Sequence, residues 1–315
     1  MRKFILRRSA QILLVFVVTT FGAFVALYRF GDPFLAIGEK LLPPDTRRLL
    51  RETFGLDQPL PIQYLTYIKN LFTGDLGIDY DQRRPVFDQL AAVAPNTLRL
   101  AVFALALQLL IGLSAGVVAA VWHRSIWDVL VTTGTIVLLS VPLLVIAAFL
   151  RDTFSGARLF GVPIFPALPR TLGAPATWFQ DMLLPAFALA IGTTAFIARV
   201  MRSSMLEVLD ADYIRTAKAK GLPQRTVVLK HALRNAVLPV ANIAAIELGA
   251  LIGGTIIVEA IFQYNGVGYL FVRSLDGLNY PVMMAIASYS IIIFLVLIAV
   301  VDVLCAYLDP RLRVD

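Results

Sequence analysis

The sequence predicts an all-α membrane protein with six transmembrane helices, from its composition, its apolar runs and the placement of its charges. Apolar residues make up 58% of the 315 residues and charged residues 16%, and the mean hydropathy is +0.78. Soluble domains contain about 45–50% apolar and about 25% charged residues. A helix needs about 20 apolar residues to cross the bilayer. Six runs have about that length: 10–28, 97–122, 127–150, 183–201, 236–258 and 282–308.

The first run is predicted to be a retained helix. Basic residues precede it, as they would in a signal peptide. The apolar part of a signal peptide is shorter, about 7–15 residues, and a small-residue cleavage site follows it. Here the apolar run passes directly into Tyr28, Arg29 and Phe30.

The basic residues indicate the topology. With a cytoplasmic N-terminus, about 15 of the 28 Lys and Arg residues fall in roughly 60 cytoplasmic residues, and about 13 in roughly 120 external ones. Such an excess is the usual bias of the cytoplasmic side. We therefore expect a multi-pass protein of the cell membrane with both termini in the cytoplasm. This topology accounts for the net charge of +7, so a nucleic-acid partner is not required to explain it.

Three polar stretches separate the runs. In residues 29–96, which we expect outside, four apolar residues recur at helical spacing: Ile62, Leu65, Ile68 and Phe72. They predict a short amphipathic helix that lies on the membrane or a partner, or covers its own domain. Residues 151–182 are rich in Pro and Gly and predict an irregular outer cap. Residues 202–235 are basic and lie on the cytoplasmic side in this topology.

Small residues and a proline mark the packing inside the runs. Gly112 with Gly116, and Gly249 with Gly253, form two GxxxG patterns, which let membrane helices approach closely. Pro142 lies inside the third run and predicts a kink there.

The sequence lacks the common catalytic and metal-binding motifs. There is no Gly-Lys dipeptide, which excludes a P-loop, and neither HExxH nor GxSxG occurs. Cys305 is the single cysteine, so no disulfide and no cysteine metal cluster can form. His123 and His231 are interpreted as isolated polar loop residues. ATP-driven work would therefore require a separate nucleotide-binding subunit.

The most informative segment runs from Asp212 to Pro239. It predicts a short helix, a stop at Gly221, a turn containing Pro223 and a second helix leading into the fifth run. Composition alone is compatible with a solvated helical hairpin on the surface. A protruding knob that binds a partner is the alternative.

The segment resembles the cytoplasmic EAA loop of binding-protein-dependent ABC importer permeases, in the version of the dipeptide and oligopeptide branch. The matching stretches are Tyr213 to Gly221, His231 to Pro239, Gly31 to Pro33, Gly55 to Pro59 with Gln63 and Tyr64, Gly74 to Gly77, Val258 to Phe262, Gly266 to Gly268, and Tyr280 with Pro281. The resemblance covers nearly the whole chain. It departs from the common pattern at Asp79, where Ser is usual, and at Gln263 to Asn265, which replace Ser-Trp-Pro.

This resemblance implies a type I ABC importer permease fold in which residues 1–95 form the N-terminal helix and external loop, 96–308 the permease core and 309–315 a cytoplasmic tail. It also implies a coupling helix that docks on an ATPase subunit through Tyr213, Thr216, Ala217 and Gly221. The implied partners are a homologous second permease, one or two ATP-binding subunits, an external solute-binding protein, a peptide substrate and membrane lipid. ATP and Mg²⁺ would bind the partner, and this chain would bind no cofactor or metal.

Glu247 is the candidate residue for the translocation path. We expect it to face protein or a watery cavity, because a carboxylate facing lipid costs a few kcal/mol. At 100° per residue, Asn242, Gly249 and Gly253 share one face of the helix, and Glu247 and Gly254 lie away from it. Glu247 either lines the path or makes a structural hydrogen bond to a neighbouring helix.

Other functions are weighed against peptide import by alternating access. A permease for nickel or another small solute belongs to the same class, but the runs contain no cluster of His, Cys and carboxylate residues. An intramembrane enzyme should show paired ionisable residues at matching depth, and Glu247 has no evident partner. A membrane scaffold without transport activity would not need the EAA-like segment.

Overall fold

The computed structural model describes residues 2–30, 58–79, 82–159, 162–163, 165, 178–277 and 279–308. The matching stretch at Gly31 to Pro33, most of the one beginning at Gly55, and the tail 309–315 lie outside these residues. The described chain is almost entirely helical. Its helices are α1 (Arg2–Phe30), α2 (Leu60–Thr73), α3 (Val86–Val121), α4 (Ile126–Ser140), α5 (Leu143–Phe154), α6 (Trp178–Leu209), α7 (Asp212–Ala219), α8 (Gln224–Thr226), α9 (Leu233–Ala236), α10 (Leu238–Phe262), α11 (Val267–Asp276) and α12 (Tyr280–Leu308), with a π-helix at Val227–Ala232 between α8 and α9.

All six apolar runs of the sequence fall on these helices. Three helices are long and apolar enough to cross a membrane alone: Val86–Val121, Phe179–Leu209 and Tyr280–Val300. Two more candidates are bent pairs, α4 with α5 and the two parts of α10, and α1 contains a shorter apolar helix. The predicted class of helical membrane protein is thereby confirmed in the described part of the chain.

The third run is sharply broken at Pro142. α4 ends at Ser140 and α5 begins at Leu143, and the two helices differ in direction by 100°. Proline has no backbone N–H, and its ring disfavours helical geometry in the residue before it, here Val141. With a rise of about 1.5 Å per residue, the 15-residue and 12-residue halves are about 22 and 18 Å long. The kink predicted at Pro142 is confirmed as a sharp break, and the two halves pass the length and hydropathy test for a span only as a pair, since neither alone covers a core of about 30 Å.

The first of two compact units consists of residues Met1–Asn96 and Asn265–Asp315. α1 packs along α12, and α2 lies against both through two tyrosines. The Tyr64 hydroxyl lies 2.8 Å from Thr20 Oγ1, and the Tyr67 hydroxyl lies 2.5 Å from Ser288 Oγ. Burial raises the pKa of Tyr67 to about 12, so this hydroxyl stays protonated at neutral pH.

The amphipathic helix predicted around Ile62 to Phe72 is present as α2, but its buried face is a different one. Tyr64 and Ile68 face the unit's core, while Ile62, Leu65 and Phe72 remain exposed. Sequence spacing identified the exposed apolar stripe. It did not identify the tyrosines, whose apolar rings are buried while their hydroxyls find hydrogen-bond partners.

The second unit, Thr97–Tyr264, is built around α6. α3 approaches α6 closely where its GxxxG pattern lies: a Cβ added at Gly116 would be 2.6 Å from the Ala198 carbonyl oxygen. Gly253 of the second pattern forms no such contact, since a Cβ there would meet no atom within 4 Å. In the stretch predicted to be a cap, α5 is followed by a short antiparallel pair of strands, β1 (Arg158–Leu159) and β2 (Val162–Pro163).

Candidate functional site

The segment from Asp212 onwards folds as a helical hairpin. α7 ends at Ala219, and Gly221 follows with a φ of +75°, a left-handed conformation that glycine adopts without strain. The Gly221 N–H donates to the Lys218 carbonyl at 3.0 Å and closes the end of the helix. Pro223 then precedes α8. The predicted helix, glycine stop and turn are confirmed.

One face of α7 holds the hairpin against the rest of the second unit. Ile214 and Ala217 are buried in a cluster with Met201 and Met205 of α6 and Val227 of the π-helix. Burying an apolar side chain of this size contributes about 1.5–3 kcal/mol. The hairpin is therefore seated on the end of α6 by apolar packing.

The adjoining face of α7, about 100° around the helix, is uncovered. Tyr213 is 46% exposed, and its hydroxyl accepts a hydrogen bond of 2.8 Å from Asn235 Nδ2 on α9. Thr216 and Gly221 are also exposed, and a Cβ at Gly221 would meet no atom within 4 Å. We call Tyr213, Thr216 and Gly221 the knob surface. Ala217, grouped with them by sequence, faces inward instead.

The path from the hairpin to α10 contains the π-helix Val227–Ala232. Val227, Val228 and Ala232 are buried in the same cluster as Ile214. π-helical turns are rare and occur frequently at functional sites. Sequence reasoning predicted an ordinary second helix, because no residue pattern distinguishes a π-helix from an α-helix of this length.

Glu247 lies in α10 and contacts two neighbouring helices. Its Oε1 accepts hydrogen bonds from Thr193 Oγ1 of α6 at 2.7 Å and from Gln108 Nε2 of α3 at 3.4 Å. The same Gln108 Nε2 donates to the Leu189 carbonyl at 3.2 Å. The side chain is half-buried, so it faces protein on one side as expected. Gly254 lies two turns away on the same helix and meets Leu189 at 3.8 Å from an added Cβ.

Glu247 is not the one carboxylate within the apolar part of α10. Glu259 is fully buried in the same helix, three residues before its end at Phe262. The fifth apolar run of the sequence is predicted to end at residue 258, before Glu259. The helix extends beyond that residue, and Glu259 becomes an interior residue for that reason.

An ion-pair cluster joins the α3–α4 turn to α6, and sequence reasoning missed it. Arg202 donates to both oxygens of Asp128, from Nε at 2.6 Å and from Nη2 at 2.9 Å. His123 Nδ1 lies 2.9 Å from Asp128 Oδ2. The interpretation of His123 as an isolated loop residue is therefore wrong. The partners are 74 residues apart, and only the tertiary structure brings them together.

Asp79, the departure from the common pattern, is buried in the first unit. It accepts hydrogen bonds from Gln89 Nε2 at 2.7 Å, from the Gln82 backbone at 3.2 Å and from Asn279 Nδ2. These amide donors compensate the burial of its charge. Asp79 thereby ties the loop before α3 to the start of α12.

Two family models match the chain. One describes the binding-protein-dependent transport system inner membrane component and matches residues 112–314. The other describes the N-terminal membrane component of such systems and matches residues 1–101. This chain belongs to that family. It is therefore a permease subunit of a binding-protein-dependent importer and a multi-pass inner membrane component, as its sequence predicted, and the catalytic role of an intramembrane enzyme is not the family's.

Curated relatives agree over nearly the full length. The glutathione transport system permease protein GsiC of Shigella flexneri serotype 5b (strain 8401) is 37% identical over 283 residues, which cover 90% of this chain and 89% of that protein. The same protein of Escherichia coli (strain K12) is also 37% identical over 283 residues. Its counterpart in Salmonella paratyphi A (strain ATCC 9150 / SARB42) is 34% identical over 314 residues, 99% of both chains.

A solved structure supports the fold. The crystal structure of an amino acid ABC transporter with histidines matches with a TM-score of 0.52, covering 69% of this chain and 92% of that one. The identity is 16%, so the similarity concerns the fold alone. The type I ABC permease fold predicted from the sequence is confirmed.

Proposed function

We propose that this permease imports short peptides that an external binding protein delivers. The proposal is supported by the 37% identity, over 90% of this chain, to permeases whose names specify glutathione, itself a peptide derivative. In the part of the chain that the structure describes, no group of three or more His, Cys, Asp or Glu residues could hold a metal ion. This favours a peptide over a bare nickel ion as the cargo.

The knob surface is proposed to be the docking site for the ATPase subunit. The observation that carries this proposal is the difference between two faces of α7: Ile214 and Ala217 are packed, whereas Tyr213 and Thr216 are exposed. A free surface of Tyr, Thr and Gly permits close approach of another backbone. The exposed basic side chains beside it favour an acidic rim on the partner: Arg215, Lys218 and Lys220.

In the proposed complex this chain pairs with a homologous permease, and the knob surface and both termini lie in the cytoplasm. ATP and Mg²⁺ bind the ATPase subunits, which close and displace α7. Because α7 packs on the end of α6, its displacement moves α6, which contacts Glu247 through Thr193. Because the chain continues through the π-helix into α10, it also moves α10, which carries Glu247. Their movement opens the cavity between the permeases to alternate sides.

The cargo is tested with the complete transporter in lipid vesicles. Mass spectrometry of the cognate binding protein, purified from the cell, should find a family of peptide masses in its pocket. Those peptides should then enter the vesicles when ATP and the loaded binding protein are supplied. A single metal complex in the pocket, with no peptide uptake, would contradict the proposal and favour the nickel or small-solute alternative.

A further inference from the structure

The carboxyl group of Glu247 is held in one orientation. Both of its hydrogen bonds, from Thr193 and from Gln108, end on Oε1. The Gln108 amide is oriented in turn, because its Nε2 also donates to the Leu189 carbonyl. The reverse orientation of the amide would place oxygen against oxygen at both contacts, so this assignment is the consistent one. Glu247 Oε2 accepts no hydrogen bond from the described residues.

The surroundings of Glu247 are short of hydrogen-bond donors. Gln108 is fully buried, yet its Oε1 accepts no hydrogen bond. The Oγ1 of Thr194, the residue next to Thr193, is also buried without a hydrogen-bond partner. A buried acceptor without a donor is destabilising, because the hydrogen bond it made to water is not replaced. The half-buried carboxyl group of Glu247 keeps one oxygen, Oε2, for an external donor.

Glu247 has no positively charged partner among the residues that the structure describes. Within the described residues, no Lys, Arg or His side chain forms an ion pair with it, in contrast to Asp128, which Arg202 and His123 pair. An ammonium group carries one positive charge and three N–H donors, which matches the deficit in both charge and donors. The α-amino group of a short peptide is such a group, with an ordinary pKa of about 7.7–8.0.

We propose that Glu247, positioned by Thr193 and Gln108, is a weak binding site for a protonated amino group of the cargo on its way through the permease. The inference rests on the proposed function for the identity of the cargo, and on Glu247 and its neighbours for the chemistry. The site holds either the terminal amine of a peptide or the ammonium of a lysine side chain. It favours cations over anions within the path.

The first test measures the charge preference without any transported cargo. In the assembled transporter with Cys305→Ser, single cysteines replace Ala244 or Ala250, which flank Glu247 on α10 at about 5–6 Å. Each is modified by methanethiosulfonate reagents carrying a trimethylammonium or a sulfonate group, which enter water-filled paths and not lipid. A unit charge at that distance in water should make the cation-to-anion rate ratio about tenfold larger than in Glu247→Gln.

Matched variants separate position from charge. Thr193→Val should lower the rate ratio while Thr193→Ser preserves it, since Ser retains the hydroxyl that orients Glu247. Glu207→Gln removes an exposed carboxylate elsewhere on α6 and should change nothing. A rate ratio that Glu247→Gln leaves unchanged overturns the proposal, as does a failure of both reagents to modify either cysteine, which is the behaviour of a helix face in lipid.

The second test compares cargo. Uptake of Ala-Lys-Ala and of its norleucine analogue Ala-Nle-Ala, and of Ala-Ala and its N-acetyl form, is measured for wild type and Glu247→Gln. In the affected pair, Glu247→Gln should reduce uptake of the peptide with the additional amino group severalfold more than uptake of the other peptide. A difference in the Lys and Nle pair identifies the lysine ammonium as the bound group. A difference in the Ala-Ala and N-acetyl pair identifies the terminal amine. A Glu247-dependent reagent ratio without any peptide uptake would support the cation site and refute the peptide cargo. Peptide uptake with equal losses for both members of each pair would support the peptide cargo and refute the cation site.

Discussion

At the scale of single residues, Gly116 illustrates how closely two helices approach in the second unit. Its missing side chain leaves room for the Ala198 carbonyl and the Met201 side chain, each 2.6 Å from an added Cβ. We expect Gly116→Ala to lower the free energy of unfolding by about 1–3 kcal/mol, because backbone atoms cannot move aside cheaply. Gly134→Ala is the matched control, since its Cβ meets no atom within 4 Å. Thermal unfolding of the purified transporter measures both, and equal midpoints would contradict this packing.

The ion pair of Arg202 with Asp128 gives a second residue-scale prediction. Arg202→Met leaves a carboxylate that is 8% exposed without its bidentate partner. Removing one partner of a fully buried pair costs about 3–5 kcal/mol, and the partial exposure of Arg202 should reduce this to about 1–3 kcal/mol. Arg202→Lys keeps the charge but loses the two-pronged geometry, so its loss should be smaller. Thermal midpoints should fall in the order wild type, Lys, Met; a Met variant as stable as Lys230→Met, an exposed control, would contradict the role of this pair.

At the scale of elements, two substitutions at Gly221 in the α7 hairpin should separate the effect of backbone strain from the effect of a side chain on ATPase docking. Gly221→Val strains a residue with a φ of +75° by about 1 kcal/mol or more, whereas Gly221→Asn tolerates the left-handed conformation. Both add a side chain to the knob surface. We expect both variants to insert and to pair with the sister permease, and both to lose ATPase stimulation by the loaded binding protein. ATPase activity in lipid vesicles measures this; full stimulation with Asn would show that Gly221 does not contact the ATPase.

The elements that could be predicted from the sequence are those with a local signal. The six apolar runs and the turn at Gly221 carry periodicity, composition and a residue with special backbone geometry. The position of the break at Pro142 could be predicted from the sequence, but its angle of 100° could not, because proline disfavours a helix without fixing the direction of the chain that follows. The π-helix has no local signal, since Val227 and Val228 are buried by contacts with α6 and α7. The orientation of Glu247 likewise depends on Thr193, 54 residues earlier.

At the scale of the whole molecule, the proposed topology makes a direct prediction. Lys69 of α2 and Arg225 of α8 are both exposed, and the topology puts them on opposite sides of the membrane. In a Cys305→Ser background, Lys69→Cys should react with an impermeant thiol reagent added to intact cells. Arg225→Cys should react only after the membrane is opened. Reaction of both cysteines from the same side would contradict this topology, because it requires an even number of membrane crossings between residues 69 and 225.

The π-helix has a consequence for changes in chain length. Each hydrogen-bonded loop of a π-helix encloses one residue more than that of an α-helix, so Val227–Ala232 accommodates a surplus residue between two correctly aligned segments. Loss of one residue here would convert the turn to α-helix and leave the alignment of α7 with α10 intact. Loss of one residue inside α10 would rotate everything beyond it by about 100°. Single-residue deletions in related chains should therefore be tolerated at 227–232 and excluded between 238 and 262.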